Sequence, residues 1–259
     1  TYEVTQHLPS YAGYLMQAEI ANLDQVLNPE RPFVAVVAGS KYDTKIGPLN
    51  AIYDQVDRLI LGGVIYNTYL CAKYGVKIAG VTPEDIAAAG DLVAKDAQAG
   101  KVVELPYLVE SAVLGREEGK YRTLAVADLQ PGQELGYVLD IDARSFDDPM
   151  VSQTILGAKT IFVNAVMGFT PHFTDGSKAL DTAIDRNRGA AKLYGGGDTL
   201  QEFKDLLPGL YLSVLDDADY YFFTGGGTVL TAIEQRSPYG LKPVAALMEN
   251  AVKFGTLPK

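Results

Sequence analysis

The chain of 259 residues holds one cysteine, Cys71, and two histidines, His7 and His172. A single thiol excludes an internal disulfide and points to a reducing compartment. So few imidazole and thiol ligands, far apart in sequence, argue against a zinc site. Basic residues are also scarce: 22 Lys and Arg stand against 32 Asp and Glu, a formal net charge of −10. That deficit argues against a nucleic-acid partner. It does not exclude a phosphate ligand, which needs only a few local cations. No apolar run approaches the ~18 residues that would suggest a membrane span, and no signal-peptide pattern opens the chain. An intracellular, cytoplasmic protein with no membrane partner is therefore expected. The chain starts at Thr1, and its first twenty residues read like the interior of a longer sequence. A fragment, an excised domain or a processed product is the expectation.

With 47% hydrophobic residues the chain can bury a large core, as one α/β domain or two smaller ones. Residues 11–26 carry apolar positions at helical spacing, and Asn28-Pro29 and Pro32 end that helix. The uninterrupted apolar run 33–38 fits a parallel strand covered on both faces. Further strands are expected at 58–61, 101–105, 159–163, 190–194 and 219–223. Helices are expected at 46–56, 65–74, 83–99, 150–156, 181–188, 200–207, 229–235 and 244–253. Residues 106–128 read as extended segments joined by a polar turn, and 130–148 as an acidic, loop-rich stretch. The alternation predicts an α/β fold, a Rossmann-like three-layer αβα arrangement around a mainly parallel sheet.

Several strands run into glycine: Gly39, Gly62-Gly63, Gly195-Gly196-Gly197 and Gly225-Gly226-Gly227. Ligands of parallel sheets sit beyond the carboxyl ends of the strands. In Gly195-Gly196-Gly197-Asp198-Thr199 a strand, glycines, an acid and a helix follow in order. Glycine lets backbone N–H groups approach an anion, and a helix start adds unpaired N–H groups. Asp198 repels phosphate but suits the Mg²⁺ that accompanies a nucleotide; an Asp N-cap after a glycine turn is the alternative. Lys41 and Lys45 are spaced i, i+4 at the start of a helix, stacking two ammonium groups that an anion would hold together. A solvated basic face is the alternative there. Asn164 ends a strand, where its amide can donate to phosphate or cap the turn. Neither G-x-x-x-x-G-K-[ST] nor a convincing G-x-G-x-x-G after a strand occurs, so a phosphate site here belongs to another class.

Taken in order, these stretches resemble the C-terminal, nucleotide-binding half of the phosphoglycerate kinase family. The resemblance rests on Leu8-Pro9-Ser10-Tyr11-Ala12-Gly13-Tyr14-Leu15-Met16, on Arg31-Pro32-Phe33-Val34-Ala35-Val36-Val37, and on Lys41 and Lys45-Ile46-Gly47. It continues through Val56-Asp57-Arg58-Leu59-Ile60-Leu61-Gly62-Gly63, Ala158-Lys159-Thr160-Ile161-Phe162-Val163-Asn164, Met167-Gly168 and the two glycine loops. It implies phosphoryl transfer between 1,3-bisphosphoglycerate and ADP, with Mg²⁺ bound to ADP or ATP. It implies nucleotide contacts from Lys41, Lys45, Gly62, Gly63, Asn164, Gly195, Gly196, Gly197, Thr199 and Gly227, and a metal contact from Asp198. Lys45, Gly225 and Gly226 would stand nearest the transferred phosphoryl. Residues 1–16 resemble an inter-domain helix, and 17–259 a single nucleotide-binding domain. The partner implied is a phosphoglycerate-binding N-terminal half.

The departures lie on the nucleoside side. Where the resemblance calls for a glycine triplet and a Met-Ala pair, the chain has Gly62-Gly63-Val64 and Ile65-Tyr66. Where it calls for Trp-Asn-Gly-Pro-Met-Gly, the chain has Val163-Asn164-Ala165-Val166-Met167-Gly168. The family's ribose-holding glutamate falls at or near Pro171, and Asp140-Ile141-Asp142-Ala143 adds a negative charge where the family has Asp-Ile-Gly-Pro. The leading expectation is a nucleotide-binding half that is incomplete for catalysis alone. The runner-up is a non-catalytic relative serving as a structural or interaction subunit of a larger assembly. A polyphosphate or different nucleotide in the anion site comes third. The tail 248–259 carries no functional reading.

Overall fold

The computed structural model describes residues 2–39 and 46–255. In chain order it comprises α1 (Tyr2–Thr5), α2 (Tyr14–Leu27), β1 (Phe33–Gly39), α3 (Ile46–Gln55), β2 (Arg58–Gly62), α4 (Gly63–Tyr74), β3 (Lys77–Ile78), α5 (Pro83–Ala99) and β4 (Val102–Val103). There follow β5 (Tyr107–Ser111), β6 (Tyr121–Ala125), β7 (Glu134–Leu135), β8 (Tyr137–Ile141), α6 (Pro149–Gly157), β9 (Thr160–Asn164), α7 (Asp175–Asp185), β10 (Ala191–Gly195), α8 (Gly197–Leu206), α9 (Pro208–Val214), β11 (Tyr220–Phe223), α10 (Gly226–Gln235) and α11 (Lys242–Phe254).

Six strands form one parallel sheet in the order β11-β10-β9-β1-β2-β4, flanked by helices as the three-layer reading expects. β1 lies in the interior of the sheet, with Val36 level with Ile60 of β2 and with Val163 of β9. Phe33, Ala35, Val36, Leu59, Ile60, Ile161 and Phe162 are fully shielded, which is why these strands read as unbroken apolar runs. Helix α5 starts as its sequence directs: Pro83 takes the first turn, the Thr82 hydroxyl accepts from the Asp85 N–H, and Gly100 (φ +60°) ends it.

Several boundaries differ from the sequence reading, each for a local reason. The strand expected at 101–105 shrinks to Val102–Val103. The Lys101 N–H bonds the Asp96 carboxylate, and the Leu105 N–H and C=O are both taken by the Tyr66 hydroxyl. The stretch 130–148 contains β8, which joins β5 and β6 in a three-stranded antiparallel sheet ordered β6-β5-β8. Its Asp140 is buried, so the strand looks polar from sequence. Helix α7 begins at Asp175 rather than 181 because Asp140 accepts the Gly176 N–H in its first turn. Helices α8 and α10 reach back into the glycine loops, starting at Gly197 and Gly226. Helix α9 had no counterpart in the sequence reading.

The N-terminal segment lies along α11. The Asn250 side chain donates to the carbonyls of Thr5 and Leu8 and accepts the Ser10 N–H, and Lys253 donates to the Gln6 carbonyl. On the far side of the sheet from β11, Asp96 joins α3, α4, α5 and β4. Its carboxylate accepts from the hydroxyls of Tyr53 (2.9 Å) and Tyr69 (3.1 Å) and from the N–H groups of Lys101 (2.8 Å) and Val102 (2.9 Å). Burial first, then the Asp96 charge, pushes both tyrosines well above the usual phenol range. Because Asp96→Ala strands four donors in the interior, it is expected to cost roughly 3 kcal/mol. Urea unfolding followed by circular dichroism measures that loss, which should appear in the midpoint with the slope unchanged.

Candidate functional site: two glycine loops at the carboxyl edge

Strands β10 and β11 are parallel neighbours, with Gly195 level with Phe223. Each runs into a glycine turn and then a ten-residue helix, α8 or α10. The two turns touch backbone to backbone. A Cβ on Gly226 would lie 2.4 Å from Gly196 Cα and 2.6 Å from Gly196 N. Gly196 has φ +124°, a conformation that L side chains rarely adopt. A Cβ there would also meet the Asn164 amide nitrogen at 2.8 Å and Thr199 Oγ1 at 3.0 Å. The Asn164 amide donates to the Gly195 carbonyl, fastening the end of β9 to the loop. Asn164, Gly195, Gly196, Thr199 and Gly226 are thus brought together in one packed cluster.

The opposite side of the loops is open to the described residues. Among them, no heavy atom outside the helix's own backbone and the adjoining residues lies within 4 Å of a Cβ built on Gly197 or Gly227. Neither helix start has a side-chain cap; the N-cap residues are Gly196 and Gly225. Two adjacent helix N-termini therefore present backbone N–H groups and the positive ends of their dipoles toward the same edge. Asp198 stands exposed in the first turn of α8. Among the described residues, no three His, Cys, Asp or Glu side chains are arranged to hold a metal. A cation at Asp198 would thus take its other ligands from phosphate oxygens and water, the usual habit of Mg²⁺.

Lys41 and Lys45 lie outside the described residues. Gly62 and Gly63 lie farther along the same edge, at the end of β2, with β9 and β1 between them and the two loops. Gly63 (φ +56°) lets the chain turn against the backbone of Gly39, whose oxygen would be 2.8 Å from a Cβ. At Gly62 the corresponding space is taken by the Met167 sulfur, 2.5 Å from a Cβ position, and Met167 is buried. A cavity of about 500 Å³ lies elsewhere, between α7 and the antiparallel sheet, with Asp140, Phe173 and Lys178 in its lining.

Sequence reasoning missed the acids that support the loops. Glu19, on α2, accepts from the Thr224 N–H (2.9 Å) and the Tyr221 hydroxyl (3.3 Å), holding the entry to the second glycine loop. Glu202, one turn past Asp198 on α8, is buried and accepts from the Thr170 hydroxyl; its Oε2 has no hydrogen-bond partner among the described residues. Burial, opposed by hydroxyl hydrogen bonds, raises its carboxyl above the usual range. Asp140 lies against Gly168 and Gly176, and burial pushes it to about 7 despite the N–H groups of Gly176 and Ile141. Asp181, which accepts from the Tyr194 hydroxyl at 3.1 Å, is pushed to about 8 by burial and then by the Glu202 charge. Such residues are separated widely in sequence, and no local spacing marks them.

Two outcomes follow. Gly226→Ala forces the loops apart and is expected to destabilise the protein by about 1–3 kcal/mol and to abolish anion binding at the edge, readable by thermal melting with and without pyrophosphate. Asp140 and Asp181 keep protons in the folded state that the unfolded chain sheds near pH 4. Their effect on stability is therefore nil below that pH and increasingly unfavourable as pH rises toward 8. Asp181→Asn should flatten this dependence, gaining roughly 2 kcal/mol or more at pH 8 relative to pH 4; denaturant midpoints across that range check the slope.

The geometry has counterparts among known proteins. The family model for phosphoglycerate kinase matches residues 1–236. A phosphoglycerate kinase of Roseiflexus sp. (strain RS-1) is 34% identical over 251 residues, 95% of this chain and 60% of the relative. One from Thermus thermophilus is 32% identical over 243 residues, 92% of this chain and 59% of the relative. The solved phosphoglycerate kinase of Coxiella burnetii superposes with a TM-score of 0.75 at 28% identity, over 93% of this chain and 59% of that one. The enzyme from Pyrococcus horikoshii OT3, at 18% identity and a TM-score of 0.74, shares the fold over 96% of this chain and 60% of its own. The chain spans about 60% of the length of these curated relatives, and over that span it belongs to the phosphoglycerate kinase family.

Proposed function

We propose that this chain is the nucleotide-binding half of a phosphoglycerate kinase-like phosphotransferase, acting on Mg²⁺–ADP or Mg²⁺–ATP and incomplete for catalysis by itself. The observation that carries this reading is the contact of Gly196 with Gly226, with Gly197 and Gly227 open beside it. It aims two uncapped helix starts at one point, which suits a polyphosphate. Transfer between 1,3-bisphosphoglycerate and ADP requires little covalent chemistry from the protein; positioning and charge neutralisation do the work. Backbone N–H groups at Gly225, Gly226 and Gly227 would bind the phosphoryl in flight. Asn164 and Thr199 would hold the first loop in shape. Asp198 would orient the cation, which supplies charge neutralisation between the phosphates when bound. Lys41 and Lys45 would add positive charge.

In this reading residues 17–259 form the nucleotide domain and residues 1–16 lead to a phosphoglycerate-binding half, the partner that catalysis needs. No helix among the described residues is long and apolar enough to cross a membrane, and a cytoplasmic location fits the family's reaction. A second reading, a non-catalytic subunit of a larger assembly, draws on one observation: the Met167 sulfur occupies the space beside Gly62. Calorimetric titration of the chain with ADP, with and without Mg²⁺, separates the two. Micromolar, Mg²⁺-dependent binding weakened about tenfold or more by Asp198→Ala, and also by Lys45→Ala, is expected. A folded chain giving no heat at millimolar nucleotide would transfer the assignment to the non-catalytic subunit.

A further inference from the structure

Helix α7 leaves room beside the antiparallel sheet. Asp175, Lys178, Ala179, Thr182, Ala183 and Arg186 recur at steps of three and four residues, so they share one face of the helix. The middle of that face is small, being Ala179, Thr182 and Ala183. Opposite it stands one face of the sheet β6-β5-β8. Val109 is level with Thr123 of β6 and with Asp140 of β8. Tyr121 and Asp142 fall on that same face, two residues along from Thr123 and Asp140. The small helix face does not reach the sheet, and the cavity of about 500 Å³ lies between them. That volume falls in the range of small-molecule sites, and no residue of the glycine loops lines it.

Its walls are apolar and its rings are fixed. Tyr121 and Phe173 pack edge-on with centroids 5.7 Å apart. The Arg116 guanidinium lies 5.4 Å from each of these centroids and pairs with Asp175 at 3.0 Å. Buried Phe146, from the 3-10 turn Ala143–Phe146, adds a third ring. Tyr121, Thr123, Lys178 and Arg186 are exposed, so solvent reaches the cavity past them. The charges of the lining are almost all matched. Asp175 has Arg116, Asp147 has Arg186 at 3.7 Å, and Asp142 has Arg144 at 2.9 Å. Asp140 accepts the N–H groups of Gly176 and Ile141, and burial holds its proton on to about 7. Lys178 is the exception: among the described residues its ammonium has neither an ion pair nor a hydrogen bond.

We propose that the cavity between α7 and the antiparallel sheet binds a small aromatic monocarboxylate, its ring among Tyr121, Phe146 and Phe173 and its carboxylate on Lys178. The three rings supply an apolar, aromatic lining that is already ordered, so little ordering cost attaches to binding. A single unmatched ammonium suits a single negative charge. A phosphate dianion would bring a second charge with no cation left for it, beside Asp147 and Asp175. An amine would meet the ammonium of Lys178 and displace an existing ion pair to reach any acid. This proposal does not depend on the nucleotide reading, because the two sites share no lining residue.

Indole-3-acetate and indole-3-acetamide serve as probes, alike in shape and different in charge. Calorimetry at about pH 6 keeps Asp140 protonated. The unaltered chain is expected to bind the acetate with a submillimolar Kd and the acetamide about fivefold more weakly. Lys178→Gln should weaken the acetate by about the same factor and leave the acetamide within about twofold. Ala179→Leu fills the cavity and should abolish binding of both. Far-UV circular dichroism checks that each variant folds; Lys178 is exposed, so its variant tests the charge without disturbing the core. Absence of heat with the acetate at about 10 mM from the folded, unaltered chain overturns the proposal. So does equal acetate affinity in Lys178→Gln, or unchanged binding of both probes by folded Ala179→Leu.

Discussion

The site depends on one close approach, that of Gly226 to Gly196. Two backbones can come this near only when neither carries a Cβ, and here the approach is enforced by the parallel pairing of β10 with β11. Once the strands are in register, the turns that leave them have no other place to go. The helices α8 and α10 then start side by side, and their unbonded N–H groups converge without any side chain being recruited. What surrounds this point serves mainly to hold it: Asn164 from β9, Glu19 from α2, and Glu202 from within α8. Converging helix starts need no surplus of basic side chains, so a net charge of −10 does not disqualify this edge as an anion site.

Acidic side chains carry much of the interior architecture. Asp96 gathers two phenols and two backbone donors into the junction of α3, α4, α5 and β4. Asp140 sets the first turn of α7, and Asp181 takes the hydroxyl of the fully buried Tyr194. These groups differ in one respect. Asp96 is surrounded by donors, whereas Asp140 and Asp181 are raised first by burial, with the Glu202 charge adding to both. The first arrangement secures a core junction; the second favours protonated carboxyls beside Gly176 and Tyr194.

The sequence was informative where side-chain period and burial coincide. Residues 33–38 could be read because all of their side chains are buried, leaving an unbroken apolar run. Gly195 to Gly197 and Gly225 to Gly227 could be read as loops at strand ends, and the family resemblance grouped Asn164 and Thr199 with them. It was silent where a polar residue is buried by distant partners. Asp140 disguised β8 as a loop, and Gly176 disguised the start of α7, because each is explained only by the other. Glycine's poor helix propensity hid that α8 and α10 begin inside their loops. Glu19 and Glu202 look like ordinary surface acids of amphipathic helices until the fold brings Thr224 and Thr170 to them.

Asn250 bonds the chain near both of its ends at once, through Thr5, Leu8 and Ser10 on one side and α11 on the other. A single amide thus ties together segments 240 residues apart in sequence. Neither partner belongs to the six-stranded sheet, so the outer helices α1 and α11 can loosen as one unit while the strand order, and the glycine loops that depend on it, stay in place.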